Sequence, residues 1–252
     1  MIHLYIMKQI NKPKPLIPRS FFLVLFSMLF ALSLLSCTAR IDGSIAANGS
    51  AALSVNFSLQ RGMTALIARL AAAGGQEGMV LDAASISRSM SAAPGVASVR
   101  LRNTSTNAVE GQVHISRISD FLSAAGSGFI TFEQRVPETG GRCRVVIDRG
   151  TSPAILQLLS SDITDYLNAL MAPIATGEEI SKNEYLELVA SFYNNQISSE
   201  ISSSRINASI EFPGNVRNVT GGTFSGRTVN FNISLLDLFV LETPLVYEVV
   251  WN

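Results

Sequence analysis

The sequence predicts an α+β fold: an antiparallel sheet with one polar face, and helices packed on the other face. Three observations lead there. Several segments alternate strictly between apolar and polar residues, which gives strands one wet and one dry side. Two long segments instead carry apolar residues at helical spacing. The strands fall in groups before and after those helices, so the two kinds of element are segregated and not interleaved.

The elements follow in chain order. RIDGSIAANGS supplies a first strand and an Asn48-Gly49 turn. In ALSVNFSLQ, Leu53, Val55, Phe57 and Leu59 share one face, and Ser54, Asn56 and Ser58 share the other. Apolar alternation on both sides of Asn-Gly is a strong hairpin signal. Met63 to Ala73 is rich in Ala and Leu and stops at Gly74-Gly75, as a helix would. Asp82 caps a short helix through Met90, ahead of Pro94. Val99 and Leu101, Val113 and Ile115, and Ile130 and Phe132 mark three more strands. Cys143, Val145 and Ile147 alternate in a further one.

Ser152-Pro153 opens a helix. Ile155, Leu158, Leu159, Tyr166, Leu167 and Leu170 stripe it as far as Pro173. Residues 172–183 read as a loop. Leu186, Val189, Tyr193, Ile197 and Ile201 stripe a second helix over 184–201. Ile206 to Phe212 and Val229 to Leu235 alternate as strands, and Tyr247, Val249 and Trp251 form the last one.

The N-terminal residues have a different character. Lys8, Lys12, Lys14 and Arg19 precede the uncharged run FFLVLFSMLFALSLLS at 21–36. A basic region followed by a short apolar run reads as a secretory signal. The run falls short of the roughly 20 apolar residues that a spanning helix needs, which disfavours an uncut signal anchor. Met7 offers a second start. Those four basic residues belong to the leader and no acidic residue does, so the remainder is mildly acidic. Lys182 is its only lysine, and the basic patch that nucleic-acid binding requires is missing.

Leu34-Leu35-Ser36-Cys37 resembles the lipobox of bacterial lipoproteins: an apolar residue, a small residue before the cysteine, and the cysteine itself. Leu35 departs from the usual pattern. The resemblance implies diacylglycerol transfer to the Cys37 thiol and cleavage between Ser36 and Cys37. That makes 1–36 a removed signal peptide and 37–252 a single ectodomain, lipid-anchored to a membrane of the bacterial cell envelope. Each buried methylene of an acyl chain contributes about 0.8 kcal/mol, so two or three chains hold firmly.

The segment IEFPGNVRNVTGGTFSGRTVNFNISLLDLF is similar to the C-terminal part of LppM-type lipoproteins, on Pro213-Gly214, Gly221-Gly222, Gly226, Val229 and Phe231. That resemblance implies an α+β ectodomain and an interaction with lipids or glycolipids. It implies no catalytic residue.

Other chemistry finds little support. With Cys37 acylated, Cys143 has no disulfide partner and reads as a buried small hydrophobe. His114 lies on a polar strand face, and no His/Cys cluster of metal-site spacing accompanies it. Asp162, Asp165, Glu178 and Glu179 lack the alternating ligands of a calcium loop. No metal, no cofactor and no enzymatic activity are expected, since no nucleophile elbow or phosphate-binding loop occurs.

The expected function is a non-enzymatic, membrane-anchored lipoprotein that takes a hydrophobic or glycolipid ligand. Its ligand is expected between the dry sheet face and the helices at 153–172 and 184–201, near Tyr166, Leu170, Tyr185, Val189 and Tyr193. The alternative is a surface-interaction lipoprotein that meets a protein partner through its polar sheet face. A closed apolar pocket would favour the first and an exposed flat patch the second. Converging titratable groups in a cleft would point to an enzyme.

Overall fold

The computed structural model describes residues 38–73, 81–124, 130–134, 140–156 and 161–252. The chain divides into a unit Met1–Leu35, outside these residues, and a unit Ser36–Asn252 that contains all of them. The leader, Ser36 and Cys37 therefore lie outside the described residues.

The strands are β1 (Thr38–Ile45), β2 (Ala51–Ser58), β3 (Val96–Ser105), β4 (Ala108–Ile115), β5 (Ile130–Gln134), β6 (Gly141–Ile147), β7 (Arg205–Glu211), β8 (Val216–Thr220), β9 (Gly222–Ser225), β10 (Thr228–Ser234) and β11 (Leu245–Trp251). The helices are α1 (Arg61–Ala73), α2 (Ala83–Ser91), α3 (Ile118–Ala124), α4 (Ser152–Leu156), α5 (Ser161–Ala169), α6 (Pro173–Thr176), α7 (Lys182–Phe192), α8 (Asn195–Ser203) and α9 (Leu235–Val240). The α+β class is as the sequence predicts.

Seven strands form a large sheet in the order β3-β4-β2-β1-β7-β10-β9, and four form a small one in the order β5-β6-β11-β8. The β1–β2 hairpin forms as expected, with Gly49 at φ 79° and the Ser50 N–H donating to Asn48 Oδ1 at 3.0 Å. Only glycine and a few short polar residues adopt such a φ cheaply, which is why Asn-Gly sits here. At the centre of the large sheet β1 and β7 pair in parallel. A parallel neighbour requires a crossover, and the helical segments between β2 and β7 are part of it.

Helices share the dry face of the large sheet with the small sheet. Val229, Ile210 and Phe231 pack against Val249, Trp251, Val219 and Cys143 of the small sheet, and Trp251 meets Phe212 at 5.0 Å and Phe132 at 5.8 Å between ring centroids. Met90 of α2 and Ile118 and Phe121 of α3 pack on Ala51, Val113 and Ile115. The remaining helices pack mainly on one another. Met63, Leu66, Leu167, Leu170, Tyr185, Val189, Ile197, Ile201, Phe239 and Val240 make a core of their own. Burying side chains of this size contributes about 1.5–3 kcal/mol each. That cluster gathers where β2 runs into α1, α8 into β7 and β10 into α9, which is the end of the sheet where β1 begins.

Three boundaries differ from the sequence expectation, and a fourth segment lies partly outside the described residues. The stripe over 184–201 breaks into α7 and α8, because Asn194 takes an extended φ of 176° and caps α8 by accepting from the Ile197 N–H at 3.0 Å. The loop over 172–183 contains α6, started by Pro173 and ended at Gly177 with φ 76°. The helix opened by Ser152-Pro153 is described as α4 and α5, with 157–160 outside the described residues. Leu235 ends no strand; it starts α9, which Ser234 caps by accepting from the Asp237 N–H at 3.3 Å.

Candidate functional site

The helix residues expected around a ligand fill a core instead. Leu170 is 2% exposed, and Tyr185 and Val189 are fully buried. The Tyr185 hydroxyl donates to the Leu170 carbonyl at 3.2 Å, and the Tyr193 hydroxyl donates to the Ala169 carbonyl. Burial raises both hydroxyls' pKa above the ordinary tyrosine range. Their polar tips are thus spent on backbone carbonyls that the Met171 turn, at φ 52°, leaves without a helical partner. Tyr166 packs against the same core.

The other residues singled out in the sequence stand apart from one another. Cys143 packs between the sheets, and burial pushes its thiol up to about 11, so it is a poor nucleophile. His114 is exposed on β4. Asp165 and Glu178 are exposed, and Glu179 reaches Arg149 at 3.3 Å. Among the described residues no group of three His, Cys, Asp or Glu side chains could hold a metal ion, and no helix is long and apolar enough to cross a membrane.

Strand register assembles two surfaces that no single segment reveals. On the dry face, one row across six strands reads Leu101, Gly111, Val55, Ile41, Ala208 and Phe231. Beside it, toward the Thr38 end, lie Phe57 opposite Val109, and Ala39, Ile206 and Ile233 in line. Ile41, Val55, Leu101, Ile206 and Ile233 keep partial contact with solvent, and Phe57 is 37% exposed. Among the described residues none of these six belongs to a core cluster. An apolar band therefore runs between the helical core at one end and the sheet-on-sheet core at the other.

On the wet face, one row reads Arg102, Glu110, Asn56, Arg40, Asn207 and Asn232. The next reads Arg100, Gln112, Ser54, Asp42, Ser209, Asn230 and Thr223. The members of these rows on β2, β1, β7, β10 and β9, apart from Ser54, line an open trough of about 840 Å³, and Ser54, Glu110 and Gln112 join Arg40, Asp42 and Asn56 around a hollow of about 290 Å³ between β1 and β4. Arg40 donates to both Asp42 oxygens, at 2.6 and 3.2 Å, and that carboxylate raises the guanidinium's pKa. Glu110 pairs with Arg102. The Asn232 amide donates to Asn207 Oδ1 at 2.6 Å. The sequence marked these positions as a wet face, but it did not show that the asparagines align across strands.

Neither a scan against protein-family models nor a search of curated proteins finds a match. Among solved structures, the NMR structure of the folded domain of Mycobacterium tuberculosis LppM aligns over 86% of this chain and 89% of its own. The sequence identity is 8% and the TM-score 0.37. At those values the likeness carries neither fold nor function over to this chain.

Proposed function

We propose that the chain is an exported, lipid-anchored protein of the bacterial cell envelope that binds a hydrophobic ligand along the dry-face band. The leader and the Leu34–Cys37 box support the anchor. The band supports the ligand: it is the observation that carries this reading. Six strands at about 4.8 Å spacing make it roughly 24 Å long, whereas one leaflet's acyl chains span about 15 Å. Contiguous apolar surface that stays in contact with water is a common mark of a binding site. No catalytic role is assigned to any residue.

The test uses the full chain extracted in mild detergent. Native mass spectrometry is expected to report the acyl mass at Cys37 and a retained lipid. Val55→Trp and Ile206→Trp are expected to displace that lipid while the fold persists. Cys37→Ser is expected to accumulate as unprocessed precursor without palmitate label. Equal label in mutant and wild type sinks the anchor. A protein that carries no lipid and takes up no added fatty acid sinks the band as a site.

A further inference from the structure

We propose that the wet-face trough is a second binding site, for a neutral polysaccharide strand. The trough faces away from the apolar band.

The trough carries no net charge. Of the trough's lining, Arg40 and Asp42 neutralise each other through two hydrogen bonds. The remaining polar groups are the uncharged side chains of asparagine, serine and threonine. A nucleic acid or an acidic polymer would find no net positive field here, and a basic partner no negative one.

The trough also holds unused hydrogen-bonding capacity. Of the lining, Asn56, Asn230, Ser209 and Thr223 make no side-chain hydrogen bond among the described residues. The single Asn232–Asn207 bond leaves the Asn207 amide hydrogens and the Asn232 oxygen available. A carboxamide presents donor and acceptor side by side. A row of them matches a ligand whose groups also do both, and hydroxyls do.

Its shape fits a chain. The lining residues sit on strands about 4.8 Å apart, and successive wet-face residues along one strand are about 7 Å apart. The lining extends over five strands and the trough is open, so it suits an extended chain better than a compact small molecule. A peptide would instead seek a sheet edge, where unpaired backbone groups add a strand. On this face the backbone groups of β1, β7 and β10 are already paired on both sides.

The experiment titrates the full-length, detergent-solubilised protein with cellohexaose, maltohexaose and mannohexaose, and with oligogalacturonate as the charged control. Side-chain amide NMR signals and calorimetry report binding. At least one neutral hexasaccharide is expected to bind saturably and to shift the Asn56, Asn207 and Asn230 amides. The pair Asn207→Ala and Asn230→Ala, on the solvent side of the sheet, is expected to weaken binding about tenfold with the circular dichroism spectrum unchanged. Three results overturn the proposal: no saturable binding of any neutral hexasaccharide, binding that the double variant leaves intact, or oligogalacturonate binding as tightly as the neutral chains. Cross-linking of an Asn56→Cys variant to a protein, with no glycan bound, assigns the face to a protein partner and also overturns it.

Discussion

Glu200 offers the sharpest test of how the helical core is held. It lies on α8, is 6% exposed, and points at the start of α1. Its carboxylate accepts the Gly62 N–H at 2.9 Å and the Met63 N–H at 2.8 Å, and Gln196 donates to it at 3.0 Å. Two helix N-terminal donors are thus satisfied from a different helix, and the negative charge faces the positive end of α1. Glu200→Ala strands both donors. The Met63 N–H is buried and carries the full penalty of an unsatisfied group, about 1–3 kcal/mol, while water reaches the half-buried Gly62 N–H more easily. We expect a loss of about 3 kcal/mol, read by urea denaturation of residues 38–252. Gly62→Ala supplies a second arm. Its added Cβ would stand 2.8 and 2.9 Å from the two carboxylate oxygens, so the pair must separate. Gly62→Ala is expected to destabilise the wild type, yet to be neutral or stabilising in the Glu200→Ala background, where only its better helix propensity remains. Additive effects, or a loss under about 1 kcal/mol for Glu200→Ala, would refute the tie between α8 and α1.

Cys143 should resist thiol-specific alkylation at neutral pH until the domain is unfolded, because its pKa lies near 11. Leu170→Trp should overpack the helical core and cost about 1–3 kcal/mol, visible as a lower melting temperature, whereas Val55→Trp on the dry-face band should cost much less. Ser181→Ala should lose about 1 kcal/mol at neutral pH by removing the cap of α7. Glu184, held below the usual carboxylate range first by the Ser181 backbone N–H and then by its hydroxyl, has a folded pKa below its unfolded one. Its contribution is therefore present above the unfolded value and lost as pH falls through the folded one. Ser181→Ala should accordingly flatten the acid limb of stability below about pH 4.

Local pattern revealed the strands other than β8 and β9, because alternation is a local property. It placed Leu53, Val55 and Phe57 on one side and Ser54 and Asn56 on the other, as the β1–β2–β4 register does. It did not assign strands to sheets. Cys143 and Val249 alternate in the same way as Val113, yet they face one another across the β6–β11 pair of a second sheet. Helical periodicity ran across Asn194 because Tyr193 and Ile197 keep the stripe in phase, although Asn194-Asn195 is itself a capping signal. At Leu235 the strand pattern ended on an apolar residue that fits either element, and the cap at Ser234 decided for a helix. The helix stripes suggest a ligand wall in sequence, because a stripe does not state what it packs against. Here Leu170 and Val189 met other helices, and the water-accessible apolar residues were on the strands.

The two surfaces share one cause. Parallel pairing of β1 with β7 sets Arg40 beside Asn207 and Asp42 beside Ser209 on the wet face, and Ile41 beside Ala208 on the dry face. These residues are far apart in sequence, and a slip of one residue would exchange the faces. The register is fixed by the dry side, where Gly43 admits no side chain: an added Cβ would lie 2.5 Å from Leu53 Cδ2 and 2.7 Å from the Ala52 carbonyl oxygen. β1 also begins at Thr38, directly after Cys37. With a lipid at Cys37, as proposed, Arg40 and Ile41 would lie only about 7–10 Å of extended chain from Thr38, so a flexible stalk could not lift either surface from the membrane. A ligand for the band could then arrive from the leaflet itself. A polysaccharide for the trough would have to run along the membrane surface, across the strands, in the direction that the rows of asparagine extend.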